Sequence, residues 1–193
     1  RQRALLVADD ESIFDTATVS LATTLADRGY RAYQLHMSQG ENIHYNIRSV
    51  INQGVALVNY LGYGSKGAWG DEAVLQNSDT QALYNGTRLP ILTAFTSLNG
   101  AFAEPQIDSL SESLLRKNDG GIVAAIAPSG RAPTDQLLPL AEKFYAQLLA
   151  NGDITIGDAL HRLVNEGMDD PESRDALKTL NLLGDPALQF YAP

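Results

Sequence analysis

Two loops that follow apolar runs carry the residues best placed to do chemistry. Gly62-Tyr63-Gly64-Ser65-Lys66-Gly67 follows Val55 to Leu61, and Thr96-Ser97-Leu98-Asn99-Gly100-Ala101-Phe102 follows Leu89 to Phe95. Ser97 offers a hydroxyl nucleophile and Tyr63 a phenol, while the glycines let other groups approach the backbone closely. A serine hydroxyl needs a positioned base. A phenol titrates near pH ~10 and is a poor proton acceptor at neutral pH unless a cation adjoins it. Lys66 and Arg131 are the candidates for that cation.

The glycine loop also spells G-x-G-x-x-G after a strand, the spacing of a dinucleotide fingerprint. Its context argues against that use. The glycines lead into Ala68-Trp69-Gly70-Asp71 rather than opening a helix, and the next apolar run ends in Thr96-Ser97 instead of an acidic residue. A glycine-rich turn against close-packed backbone is the simpler reading, and a small-molecule or nucleotide site the alternative. Asp9-Asp10-Glu11 could meet a hard cation or could serve as an acidic cluster at a helix N-terminus. His36, His44 and His161 fall outside the loops that could react and read as surface or structural residues.

Composition narrows the partners. A formal net charge of −9 argues against nucleic acid and anionic membranes as partners and leaves a basic peptide open. The chain has no cysteine, which removes disulfides, thiolate metal sites and thiol nucleophiles together. No apolar run is long enough to span a bilayer. With 193 residues, 44% of them apolar, one sizeable core is expected. Residues 1–193 are read as a single domain, and the start at Arg1-Gln2-Arg3 without Met suggests one cut from a longer chain.

Strands and helices alternate along the sequence. Ala4 to Ala8 reads as a buried strand ending at Asp9, followed by a helix with Ser12 as cap and Phe14, Val19, Leu21 and Leu25 as its apolar side. Tyr30 to Leu35 reads as a strand, and Ile43, Ile47, Val50 and Ile51 mark a helix stopped by Gly54. Val55 to Leu61, Leu89 to Phe95 and Ile122 to Ala127 are the continuous apolar runs of central parallel strands. Helices are expected over Ile107 to Leu115, Pro139 to Leu149, Ile156 to Val164 (capped by Thr155) and Asp175 to Leu180, with an edge strand over Ala187 to Tyr191. Such α/β sheets place functional groups at the carboxyl ends of strands.

The two reactive loops, read together, resemble those of the gingipain-like cysteine peptidases. That family has His-Gly where this chain has Tyr63-Gly64, and Cys-x-x-Gly-x-Phe where it has Ser97-Leu98-Asn99-Gly100-Ala101-Phe102. Leu5 to Asp10, Trp69, Ser109 to Leu115, Gly120 to Gly130 and Leu182-Leu183-Gly184-Asp185-Pro186-Ala187-Leu188 extend the likeness through most of the chain. The resemblance implies a caspase-like three-layer sandwich, a mostly parallel sheet of about six strands with helices on both faces. It assigns oxyanion amides to Gly64 and Ser97, substrate contacts to Trp69, Ser129 and Arg131, and calcium to Asp9, Asp10 and Glu11. It also implies an extracytoplasmic location.

With both dyad positions replaced, the expected role is that of a pseudopeptidase. Such a domain binds a peptide or protein segment, or supports other domains of its parent chain. A weak hydrolase using Ser97, with Tyr63 as its partner, is the enzymatic alternative.

Overall fold

The computed structural model describes residues 3–40, 42–150 and 154–190. Arg1 and Gln2 lie outside them. The first half of the chain runs β1 (Arg3–Ala8), α1 (Ser12–Ala26), β2 (Arg31–His36), α2 (Ile43–Gln53), β3 (Leu57–Leu61), β4 (Ala68–Trp69), β5 (Leu75–Gln76) and β6 (Ile91–Phe95). The second half runs α3 (Leu110–Leu115), β7 (Ala124–Pro128), α4 (Thr134–Leu148), β8 (Ile154–Thr155), α5 (Ile156–Gly167), α6 (Arg174–Thr179), β9 (Leu180–Leu183) and β10 (Gln189–Phe190).

Six strands form the main sheet in the order β2-β1-β3-β6-β7-β9, parallel except for β9 against β7. Every residue of β3, β6 and β7 is buried, as strands covered on both faces require. Leu6, Ala8, Leu57 and Leu61 pack with α1, α4, α5 and α6, while Leu5, Val7, Val58 and Tyr60 pack with α2 and α3. The expected three-layer α/β sandwich is therefore present. The chain steps from β1 out to β2 and back across to β3, so the order reverses beside the carboxyl ends of β1 and β3. Both reactive loops leave the sheet at that end.

One polar pair interrupts the apolar strands. Asn59 and Thr93 are register partners on β3 and β6, and neither is exposed to solvent. The Asn59 Oδ1 accepts from Thr93 Oγ1 at 2.8 Å and from the Tyr145 hydroxyl at 3.2 Å. That network ties α4 to the two strands that carry the loops through the Asn59 oxygen, while the Asn59 Nδ2 is buried without a partner.

Several boundaries differ from expectation for identifiable reasons. Ser12 is no cap, because the Glu11 carbonyl already accepts from Phe14 and Asp15 and puts Ser12 inside the first turn. Val19 faces solvent, and the buried side of α1 is Phe14, Thr18, Leu21, Ala22 and Leu25. α3 begins at Leu110 because Ser109 and Glu112 form a reciprocal capping box, which leaves Ile107 exposed. α4 begins at Thr134 and carries Pro139 in its interior. Thr155 caps α5 as expected, by accepting from the Asp158 amide. β10 pairs with β8 in a separate ribbon rather than edging the main sheet, and Tyr191 lies outside the described residues. The sixth strand is instead β9, directly behind α6.

Candidate functional site

Asp9 closes β1 and is 2% exposed. Its Oδ2 accepts from the Tyr63 amide at 2.7 Å and from the Tyr60 hydroxyl at 3.1 Å, and its Oδ1 accepts from the Asp10 amide at 3.0 Å. Burial raises its carboxyl above the ordinary aspartate value, against the lowering effect of these hydrogen bonds. The Tyr60 hydroxyl also reaches the Tyr63 carbonyl at 2.6 Å, so one phenolic proton serves two acceptors. Burial pushes that phenol upward, which keeps it a neutral donor. The backbone of Tyr63 is thus held from both sides.

The glycines beside Tyr63 are set by crowding. A Cβ on Gly62 would lie 2.4 Å from both the Asp9 Cβ and the Tyr60 hydroxyl oxygen, and one on Gly64 2.6 Å from Thr96 Oγ1. The loop then turns back on itself through Ser65 N to Ala68 O at 2.9 Å and Gly70 N to Tyr63 O at 2.9 Å. It enters β4, not a helix, and its glycines are filled by neighbours rather than open around a phosphate. Trp69 has no exposed surface. It stacks on Tyr60 with ring centres 4.6 Å apart and donates its indole N–H to Asn99 Oδ1 at 2.9 Å. It supports the loop from beneath.

Asn99 is the residue that sequence reasoning missed. Fully buried, it accepts from Trp69 and donates from Nδ2 to the Ser65 carbonyl at 3.0 Å, so one side chain ties the loop after β6 to the loop after β3. No spacing rule singles it out, because its partners lie 30 and 34 residues away.

Ser97 is half-buried, and its hydroxyl is committed to one peptide neighbour. Its Oγ donates to the Ala132 carbonyl at 3.1 Å and accepts from the Ala132 amide at 3.2 Å. Leu98 N to Gly130 O at 3.0 Å and Gly100 N to Pro128 O at 2.8 Å lace the same loop to the turn after β7. Ser129, the first of the expected contacts in that turn, points away toward β9. Its Oγ donates to the Thr179 carbonyl at 3.2 Å and accepts from Asn181 Nδ2 at 2.8 Å. Arg131 is exposed.

Tyr63 is 51% exposed, and its ring stands edge-on to Phe14 at 5.4 Å. Among the described residues no hydrogen bond joins Tyr63 to Ser97, and the amides of Gly64 and Ser97 make none. Asp9, Asp10 and Glu11 bring carboxylate oxygens within 4.8 Å of one another, with Asp9 buried and the other two exposed. Both Asp9 oxygens, however, already accept hydrogen bonds. His36 ends β2 beside Ala8 and is paired with Asp15 at 2.6 Å.

Residues 1–191 match the family model described as Peptidase family C25. The chain belongs to that family. It is similar to Gingipain R2 of Porphyromonas gingivalis, with 36% identity over 86 residues that make up 42% of this chain and 11% of the relative. In fold it matches the crystal structure of the Arg-specific cysteine proteinase gingipain R, with a TM-score of 0.85 and 23% identity over 99% of this chain. It also matches the complex of the pro- and mature domains of RgpB from Porphyromonas gingivalis, with a TM-score of 0.81 and 22% identity over 97% of this chain. In both structures the match covers 48% of the other chain, so this one spans about half of their length. At these identities the structural matches speak for the C25 fold alone. Among the described residues no helix is long and apolar enough to cross a membrane.

Proposed function

We propose that this C25 domain is catalytically silent and holds a peptide or protein segment across the carboxyl ends of β1, β3 and β6. One observation carries the reading: the Ser97 hydroxyl is engaged in both senses by the Ala132 peptide while the Gly64 and Ser97 amides remain open. A nucleophile needs a base within hydrogen-bond reach, and the phenol nearest in the family pattern, Tyr63, packs on Phe14 instead. The open amides suit an arriving carbonyl without requiring a bond to break. A protein occupant has a precedent in the similar structure of gingipain pro- and mature domains in complex. An extracytoplasmic location belongs to the same proposal and rests on the family.

The acidic run is assigned to the fold rather than to a cation. Asp9 anchors the Tyr63 loop, and Asp10 and Glu11 alone fall short of the roughly six to eight oxygens that calcium takes.

The test is a mass-spectrometric screen of a diverse peptide library, incubated with the purified domain and with Ser97→Ala. No cleavage by either protein at high concentration and long times is the expected result. Cleavage that disappears in Ser97→Ala would make Ser97 a nucleophile and overturn the silent reading.

A further inference from the structure

α1 and α4 both begin at the carboxyl end of the sheet, each one loop away from the cleft. α1 follows Asp9-Asp10-Glu11 and places Phe14 against Tyr63, while α4 follows the Ala132 peptide that holds Ser97. Between their first halves lies a groove of about 510 Å3, within the size range of ligand sites. Its apolar lining is Ile13 and Ala17 on α1 and Leu138 and Pro139 on α4. Ile13 is 55% exposed, a large aliphatic side chain in a first helical turn with solvent over it.

The polar lining contributed by α4 is of one kind. The carboxylates of Asp135 and Glu142 line the same groove. Pro139 has no N–H to give the carbonyl four residues earlier, which is that of Asp135, so a backbone acceptor loses its helical donor beside the carboxylates. Lys143, the adjacent cation on α4, is turned to Asp170 at 3.9 Å. An apolar floor beside a wall of acceptors is complementary to a chain that carries aliphatic side chains and donor-rich cations. A net charge of −9 favours the same approach at longer range.

We propose that the α1–α4 groove docks a segment that alternates aliphatic and Lys or Arg residues, as a continuation of the segment held in the cleft. This rests on the binding reading proposed above for the cleft. An aliphatic side chain seats on Ile13, Leu138 and Pro139, and an ammonium or guanidinium group bridges Glu142 and the Asp135 carbonyl. The acidic wall rejects the acidic counterpart, so the groove sets the charge preference of the whole site.

The probe is a short fluorescein-labelled peptide of alternating Leu and Lys, set against its Leu and Glu counterpart. Anisotropy is read on the intact domain, and amide shifts are mapped on 15N-labelled protein. The Leu–Lys peptide should bind with shifts that cluster on the first turns of α1 and α4. Ile13→Glu and Glu142→Lys, both at solvent-facing positions, should each weaken it by roughly tenfold or more, with unchanged melting temperatures. Equal binding of the Leu–Glu peptide, or no binding of either, would overturn the proposal. So would shifts confined to the Tyr63 and Ser97 loops, which would leave the cleft reading standing. Cleavage of the bound peptide would sink the silent reading of the cleft but not the groove. A concentration-dependent dimer abolished by Ile13→Glu in sedimentation runs would mean that a second copy covers the groove, and would also overturn the proposal.

Discussion

Tyr63 and Ser97 occupy matching places at the ends of β3 and β6, and they are held in opposite ways. At Tyr63 the backbone is fixed, its amide by Asp9 and its carbonyl by Tyr60 and Gly70, while the side chain faces solvent. At Ser97 the side chain itself is fixed, in both senses, by the Ala132 peptide. The frame of the cleft is therefore maintained by buried groups beneath it, namely Asp9, Tyr60, Trp69 and Asn99. It does not depend on any hydrogen bond between the side chains of Tyr63 and Ser97. A domain built this way can change those two residues and keep its shape.

The strongest attempt to break the comparison is to write the family pattern back in. Tyr63→His combined with Ser97→Cys should raise turnover of a fluorogenic peptide by about a hundredfold or more over either single change, since a thiol with an adjacent imidazole gains an activated nucleophile. A folded but silent double variant would mean that the frame is not intact. Next in size is the anchor. Asp9→Ala leaves the Tyr63 amide without its acceptor in a buried place and should cost about 2–3 kcal/mol in urea unfolding, with Trp69 emission shifted to the red. A loss no larger than that of a surface change would show that the backbone at Tyr63 is held by something else.

The two positions can then be compared directly. Ser97→Ala should cost about 1 kcal/mol, because the Ala132 amide and carbonyl lose their shared partner, whereas Tyr63→Leu should stay within about 0.5 kcal/mol. The reverse order in chemical denaturation would invert the comparison. The smallest expected effect is a null one. Melting temperatures in calcium and in EDTA should coincide, and a calcium-dependent rise lost in Asp10→Asn would reassign the acidic run.

The sheet was legible because its central strands are long apolar runs, and each run pointed to the loop at its end. Tyr63, Gly64 and Ser97 could be located from the loops after Val55 to Leu61 and Leu89 to Phe95 for that reason. β9 was hidden because Leu180 to Leu183 follows α6 without a break and is too short to show a period of its own. The start of α4 was hidden because Pro139 reads as a boundary, whereas Leu137 and Leu138 before it belong to the core. The anchoring role of Asp9 was hidden because a carboxylate in sequence carries no sign of what it accepts. Here it accepts from residues 51 and 54 positions away. Asn99 gave no signal at all, since its work is to join two loops that only the folded sheet makes neighbours.

The crowding at Gly62 and Gly64 bears on how such chains are counted. A side chain at either position would strike Asp9, Tyr60 or Thr96, whatever the neighbouring side chains do chemically. The Gly-x-Gly spelling is therefore a fossil of the backbone's shape. A search that takes that spelling as a sign of a particular chemistry is therefore counting a tight turn, which the packing of Asp9, Tyr60 and Thr96 demands by itself.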